Sequence, residues 1–334
     1  MKHLIFLGIF LSATLAQAKT FEPYHEIARY KLGGEGSWDW LTVDEAGERL
    51  YIARSNRVMV VDTTSGKLIG EVPETEGTHG IALVPKLNLG FATAGKTNSV
   101  TVFDLKTLKK LSQIAVGEKP DAILYDSSSD KVFAFNGKSK TASVIDPGSQ
   151  KIVATVPLPG KPEFAVSDES GTVFVNLEDT SSLAAIDSKK FKVDHTYLLK
   201  PCEEPSGLSI DNLSHRLFVG CGNKTAAVVD ANSGKVLKAF TVGGGVDAAA
   251  FDSTRKLAFI SAGEGRLSII REFELVQDLA TQKGARTVAS NAKTGKVFLV
   301  TAEYGALEAP KDGEKKARPS MVPGSFVVIV FGQN

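Results

Sequence analysis

The sequence is poor in the features that usually name a chemistry. Its 334 residues include two cysteines and five histidines, too few cysteines for a four-thiolate zinc site or an iron–sulfur cluster. There is no Cys-x-x-Cys-His haem attachment, Gly-x-Ser-x-Gly elbow, phosphate-binding loop or His-Glu-x-x-His motif. Net charge is nearly absent, with 39 Lys+Arg against 38 Asp+Glu. That leaves no basic footprint for nucleic acid or anionic lipid, so neither is expected as a partner. No apolar run reaches the ~18 residues of a membrane span. Sustained helical periodicity is missing too. What remains is a core-forming chain with 31 Gly, in which short β-branched and aromatic stretches alternate with turn residues.

The N-terminus has the pattern of an address. Lys2 and His3 precede an apolar stretch, 4–16, that ends in Ala16-Gln17-Ala18, the order of a secretory signal peptide. Residues 1–18 are therefore expected to be cleaved, leaving 19–334 as one exported domain, periplasmic or secreted. In an oxidising compartment Cys202 and Cys221 tend to pair. The segment between them reads as a hairpin that folds one back toward the other. A disulfide there would close a loop of about 20 residues, contributing roughly 3 kcal/mol in the chain-entropy model. The alternative is two small buried thiols.

A repeat organises the rest. An apolar pair followed by Asp recurs at Val60-Val61-Asp62, Val102-Phe103-Asp104, Val144-Ile145-Asp146, Ala185-Ile186-Asp187 and Val228-Val229-Asp230. The aspartates are 42, 42, 41 and 43 residues apart, and Ile269-Ile270-Arg271 follows in phase. A second anchor, Asp44, Pro85, Asp126, Asp168, Asp211, Asp252 and Asn291, makes seven units. Four short strands per unit, repeated seven times, predict an all-β, seven-bladed β-propeller with four antiparallel strands per blade. The last unit offers only three strands, near 286–289, 296–301 and 326–331. The N-terminal stretch 25–32 can supply the fourth and close the ring. Residues 305–323, polar and charged, read as a long loop inserted in this last blade.

The cadence Val116-Gly117-Glu118-Lys119-Pro120, an apolar strand, then Ser143-Val144-Ile145-Asp146 resembles the YVTN repeat of exported bacterial β-propellers. It is closest to the periplasmic YncE-like group. The stretches 120–126, Lys161-Pro162-Glu163-Phe164 and Gly284-Ala285-Arg286-Thr287 carry the likeness beyond the generic repeat. The resemblance implies a seven-bladed exported propeller and no particular activity, since fold alone supplies none.

Aligning the units on the second anchor exposes a polar ring. Five residues before it stand Asp39, Gly80, Asp121, Glu163, Ser206, Asp247 and Arg286, and one residue earlier stand Trp38 and His79. In a propeller these positions lie where one blade crosses to the next, around one mouth of the central channel. Trp38, Asp39, His79, Asp121, Glu163, Ser206, Asp247 and Arg286 are thus the expected ligand-binding set, with Arg286 partnering Asp39 or Asp247. Converging carboxylates need a compensating cation. Asp39, Asp121, Glu163 and Asp247 are candidate ligands for Ca²⁺ or Mg²⁺, the only cofactors expected. Loops after the second strands, with Arg54, Asn56, Asn136, Lys138, Asn176, Glu178, Asp179, Asn223, Glu264, Glu303 and Tyr304, are expected on the same rim. The remaining histidines, His25, His195 and His215, fall on edges or turns.

Two function classes follow. The first is a non-catalytic binding or scaffold propeller, expected to be monomeric, with a small-molecule, protein or envelope partner at the mouth. The second is a lactonase-like hydrolase using a mouth metal, or His79 and Arg286 as catalytic candidates.

Overall fold

The computed structural model describes residues 21–306 and 320–334. The expected signal peptide, 1–18, lies outside the described residues, as does 307–319 of the inserted loop. Among the described residues there are 28 strands in seven four-stranded sheets, with two single-turn 3₁₀ segments, Pro85–Leu87 and Glu178–Thr180, and no α-helix. None of them forms a helix long and apolar enough to cross a membrane.

Six blades are contiguous in the chain: 41–72, 81–115, 120–157, 162–198, 205–241 and 246–280. Within each, every strand pairs antiparallel with the next, so only short-range hairpins are needed. The seventh blade is composite. Val288–Asn291, Lys296–Thr301 and Val327–Gly332 are completed by His25–Lys31, which pairs antiparallel with Val327–Gly332. The first strand of that blade starts two residues later than the sequence suggests, because Arg286 and Thr287 belong to the crossing from blade 6. Closure is reinforced nearby, where Gln277 in blade 6 accepts from Tyr24 N at 2.8 Å and donates to Tyr24 O at 2.9 Å.

Burial explains the strand composition. Second strands such as Lys131–Asn136 (KVFAFN) are buried almost throughout, because both faces of the sheet pack on neighbouring blades. Outer strands such as Lys151–Pro157 (KIVATVP) are mostly exposed. Phe91, Phe103, Phe133, Phe135, Phe259 and Phe298 are fully buried between blades, each the kind of side chain whose truncation costs about 3–5 kcal/mol. The periodic aspartates have a local cause. Asp62 accepts from Ser65 N, Asp146 from Ser149 N and Asp230 from Ser233 N, at 2.6, 2.8 and 2.8 Å. Such Asx turns tie the third strand to the fourth.

Cys202 and Cys221 form a disulfide, with Cα atoms 5.6 Å apart and both side chains fully buried. It joins the connector entering blade 5 to that blade's second strand. The inserted segment is zipped at its base by Gly305 N to Ser320 O and Val322 N to Glu303 O, both 2.8 Å.

Candidate functional site at the channel mouth

The ring positions sit at or just before the start of the innermost strands, and in four blades a backbone irregularity aims them. In blades 3, 4, 5 and 6 the pairing register slips just after Pro120, Pro162, Pro205 and Val246. A bulge at that point re-aims the following side chain, which in these blades is Asp121, Glu163, Ser206 or Asp247. Blades 1, 2 and 7 show no such slip, and in blade 2 the ring position is a glycine. A Cβ on Gly80 would lie 2.8 Å from Asp121 O and 3.0 Å from Ile123 N, so no side chain fits there and the preceding His79 carries the functional group. Thr93 fixes this corner, accepting from Gly80 N at 2.8 Å and donating to Asp121 O at 2.9 Å.

The charged groups resolve into pairs. His79 Nδ1 lies 2.5 Å from Asp39 Oδ2 and 3.7 Å from Asp121 Oδ1. Arg286 Nε donates to Asp247 Oδ2 at 2.5 Å, and its Nη2 reaches Trp38 O at 3.3 Å. Lys161 Nζ sits 2.7 Å from Glu163 Oε1 and also bonds Glu178. Ser206 Oγ donates to Asp247 O at 2.9 Å. The Asp121 carboxylate differs from the others: among the described residues it receives no hydrogen bond, and its nearest cationic partner is His79 Nδ1 at 3.7 Å.

Titration follows from this layout. The Asp39 hydrogen bond lifts His79 to about 9 against its burial, with Asp121 adding to the rise. Burial raises Asp121 to about 6, opposed by His79. Burial, then the nearby Asp121 charge, raises Glu163 to about 8. Asp247 is raised by burial and by Asp39. For Arg286, burial acts downward but the charges of Asp247 and Asp39 outweigh it, and the guanidinium is held above its ordinary value. The Asp121 side chain keeps 35% of its surface open to the channel. Desolvation by the surrounding protein makes its charge costlier than in bulk solvent.

Several expected positions are placed differently. The Trp38 indole is buried (6% exposed), packed on Phe326 with centroids 5.4 Å apart. It offers the ring its carbonyl, not its indole. Arg54, Asn136 and Asn176 are fully buried rather than on the rim. Asn176 Nδ2 holds Ser206 O and Gly207 O at 2.9 and 3.1 Å, and Asn136 Nδ2 bonds Ser143 Oγ at 3.0 Å. Arg54 and Asn176 face inward to donate to crossing-segment carbonyls that would otherwise go unpaired, whereas Asn136 donates to Thr141 and Ser143 hydroxyls of its own blade. His25, His195 and His215 are exposed, as expected from the sequence.

Three contributors are not evident in the aligned ring. Lys161 precedes the conserved-phase proline of blade 4, a position outside the two aligned columns. Trp40 and Phe164 stack face to face at 3.8 Å and 14°, although they belong to blades on opposite sides of the ring. The channel cavity of about 470 Å³ is lined by Trp40, Phe164, Ile81, Ile123 and Val288, and by none of the charged mouth groups. The aromatic pair is therefore a floor that turns the charged mouth into a blind cup. A larger cavity, about 1000 Å³, adjoins it at Arg286 and is lined by Trp38, Gln282, Glu303, Tyr304 and Met321.

No family model matches the chain, and no curated protein does. A solved structure described as Kuenenia stuttgartiensis Hydrazine Synthase is similar, with a TM-score of 0.70 and 17% identity over 87% of this chain and 95% of that one. At that identity the similarity speaks to architecture, and it agrees with the seven sheets: this chain is a seven-bladed β-propeller.

Proposed function

We propose that the chain is an exported propeller of the YVTN type that acts by binding a small ligand in the cup bounded by Asp39, His79, Asp121, Glu163, Asp247 and Arg286. The observation that carries this reading is the convergence of ionisable groups from six blades at one mouth, with the Trp40–Phe164 stack across the channel. Most of those groups are already matched in pairs, which suits recognition of a polar ligand by exchange of partners. The disulfide fits an oxidising compartment, and the YVTN cadence fits export.

The test uses the protein's only two tryptophans: Trp38, whose carbonyl holds Arg286, and Trp40, stacked on Phe164 across the channel. Their emission should respond saturably to one class within a panel of amino acids, amines, carboxylates and sugars. The response should fall at least tenfold in apparent affinity in Asp247→Asn and Arg286→Ala. Turnover of γ-lactones or p-nitrophenyl esters that disappears in Asp121→Asn would replace the binding reading with the hydrolase. For export, N-terminal sequencing of the periplasmic fraction should begin at Lys19.

A further inference from the structure

We infer that Asp39, His79 and Asp121 form a binding site for a first-row divalent cation of the zinc class. This deepens the reading of the mouth as a ligand site and rests on it. The three residues come from three consecutive blades, and one donor atom from each lies within 4.8 Å of the others. Their convergence is built by the fold: Gly80 leaves the space, Thr93 fixes the backbone of both blades, and the bulge after Pro120 aims Asp121.

Two observations choose the metal. The first is the donor set. One imidazole nitrogen with two carboxylates suits Zn²⁺, Co²⁺ or Mn²⁺ better than Ca²⁺ or Mg²⁺, which favour all-oxygen shells. The other two acids expected to ligate Ca²⁺ or Mg²⁺ each have a Lys or Arg cation against them that cannot itself ligate a metal, Lys161 on Glu163 and Arg286 on Asp247. That leaves too few free oxygens for a calcium shell. The second is the position of Asp121, whose carboxylate faces His79 at 3.7 Å with no hydrogen-bond donor of its own. A cation that replaces the proton shared by His79 Nδ1 and Asp39, releasing it to solvent, would supply that missing partner. Three protein ligands leave a coordination position open toward the cup, where a ligand's oxygen or nitrogen could complete the shell.

Co²⁺ and Zn²⁺ titrations of the chelator-treated, disulfide-intact chain test this directly. One equivalent of Co²⁺ should give visible d–d bands, displaced by Zn²⁺ with a dissociation constant of micromolar or below. Ca²⁺ should compete at least a hundredfold less well. His79→Gln and Asp121→Asn should each weaken Zn²⁺ at least tenfold, while His195→Ala and His215→Ala leave it unchanged. The wild-type cobalt spectrum stands even if a variant folds poorly. Absence of one-equivalent binding below 100 µM, Ca²⁺ preference, or Zn²⁺ affinity indifferent to His79 and Asp121 would each overturn the site. Tryptophan emission of the metal-free chain with the small-ligand panel separates the two readings. A ligand response without metal binding removes the cation and leaves the cup.

Discussion

Arg54 offers a test in which two physical effects oppose each other. It is fully buried, yet among the described residues no carboxylate contacts it. Its guanidinium donates to the carbonyls of Gly36, Ser37 and Glu35, the last at 3.0 Å, and stacks over Phe326 at 3.8 Å. Those carbonyls belong to the connector that carries the chain from His25–Lys31 to blade 1, and so delivers Asp39 and Trp40 to the mouth. Burial lowers Arg54 to about 10, which still leaves it charged at neutral pH. In Arg54→Met the shape is roughly kept. Three charge-assisted hydrogen bonds worth about 1.5 kcal/mol each are lost, with about 1 kcal/mol of stacking. Against this, removing a buried charge returns on the order of 2–3 kcal/mol. The hydrogen bonds win, and a net loss of about 3 kcal/mol is expected in urea unfolding. Arg54→Lys should not restore it, because an ammonium cannot fork across three carbonyls. Amide exchange at Asp39 and Trp40, whose N–H groups bond Ala53 O and His79 O, should accelerate in both variants. Stability of Arg54→Met at or above wild type would refute this reasoning and show that desolvation dominates.

Replacing both Cys202 and Cys221 by Ala opens a loop with a sequence separation of 19 and should cost about 3 kcal/mol, read as an equal loss on reduction of the wild type. Trp40→Ala removes half the channel floor and should cost about 2–3 kcal/mol, less than for a fully buried tryptophan; an unchanged urea midpoint would mean the stack holds nothing in place. Glu163, raised by burial to about 8 from its ordinary value of 4.5, binds its proton more tightly in the folded chain. Its contribution is fully present below about pH 4.5 and lost as pH rises through about 8. Stability should therefore decline across that window, and Glu163→Gln should flatten the decline. At the acid end, hydrogen bonds from Ser149 hold Asp146 at about 2. Its contribution is present above the ordinary carboxylate range and lost as pH falls through about 2. Asp146→Asn should reduce the steepness of acid unfolding below pH 4.

Much of this molecule is written in its repeat. The Asp62, Asp104, Asp146, Asp187 and Asp230 series marks seven-fold architecture because each aspartate caps its own turn, a local interaction that recurs with the blade. The four-strand count and the closure by 25–32 follow from the same periodicity, since a ring with three strands in its last unit needs one from the other end. The ring of acids was also legible, because equivalent repeat positions become neighbours about a common axis. Side-chain direction was not. Whether Trp38 or Trp40 reaches the axis depends on the path of the 32–40 connector, which Arg54 pins from a different strand. The identity of the ion pairs depends on bulges that no alignment of residue types displays. Asp121 is left without a hydrogen-bond donor for a reason wholly tertiary: Lys161 leans to Glu163, Arg286 to Asp247 and His79 closer to Asp39 than to Asp121. Sequence by itself determined the architecture, because backbone hydrogen bonding and turn capping act within a blade. Only the closed ring decided the chemistry of the mouth, because its charges come from blades far apart in the chain and choose partners by distance.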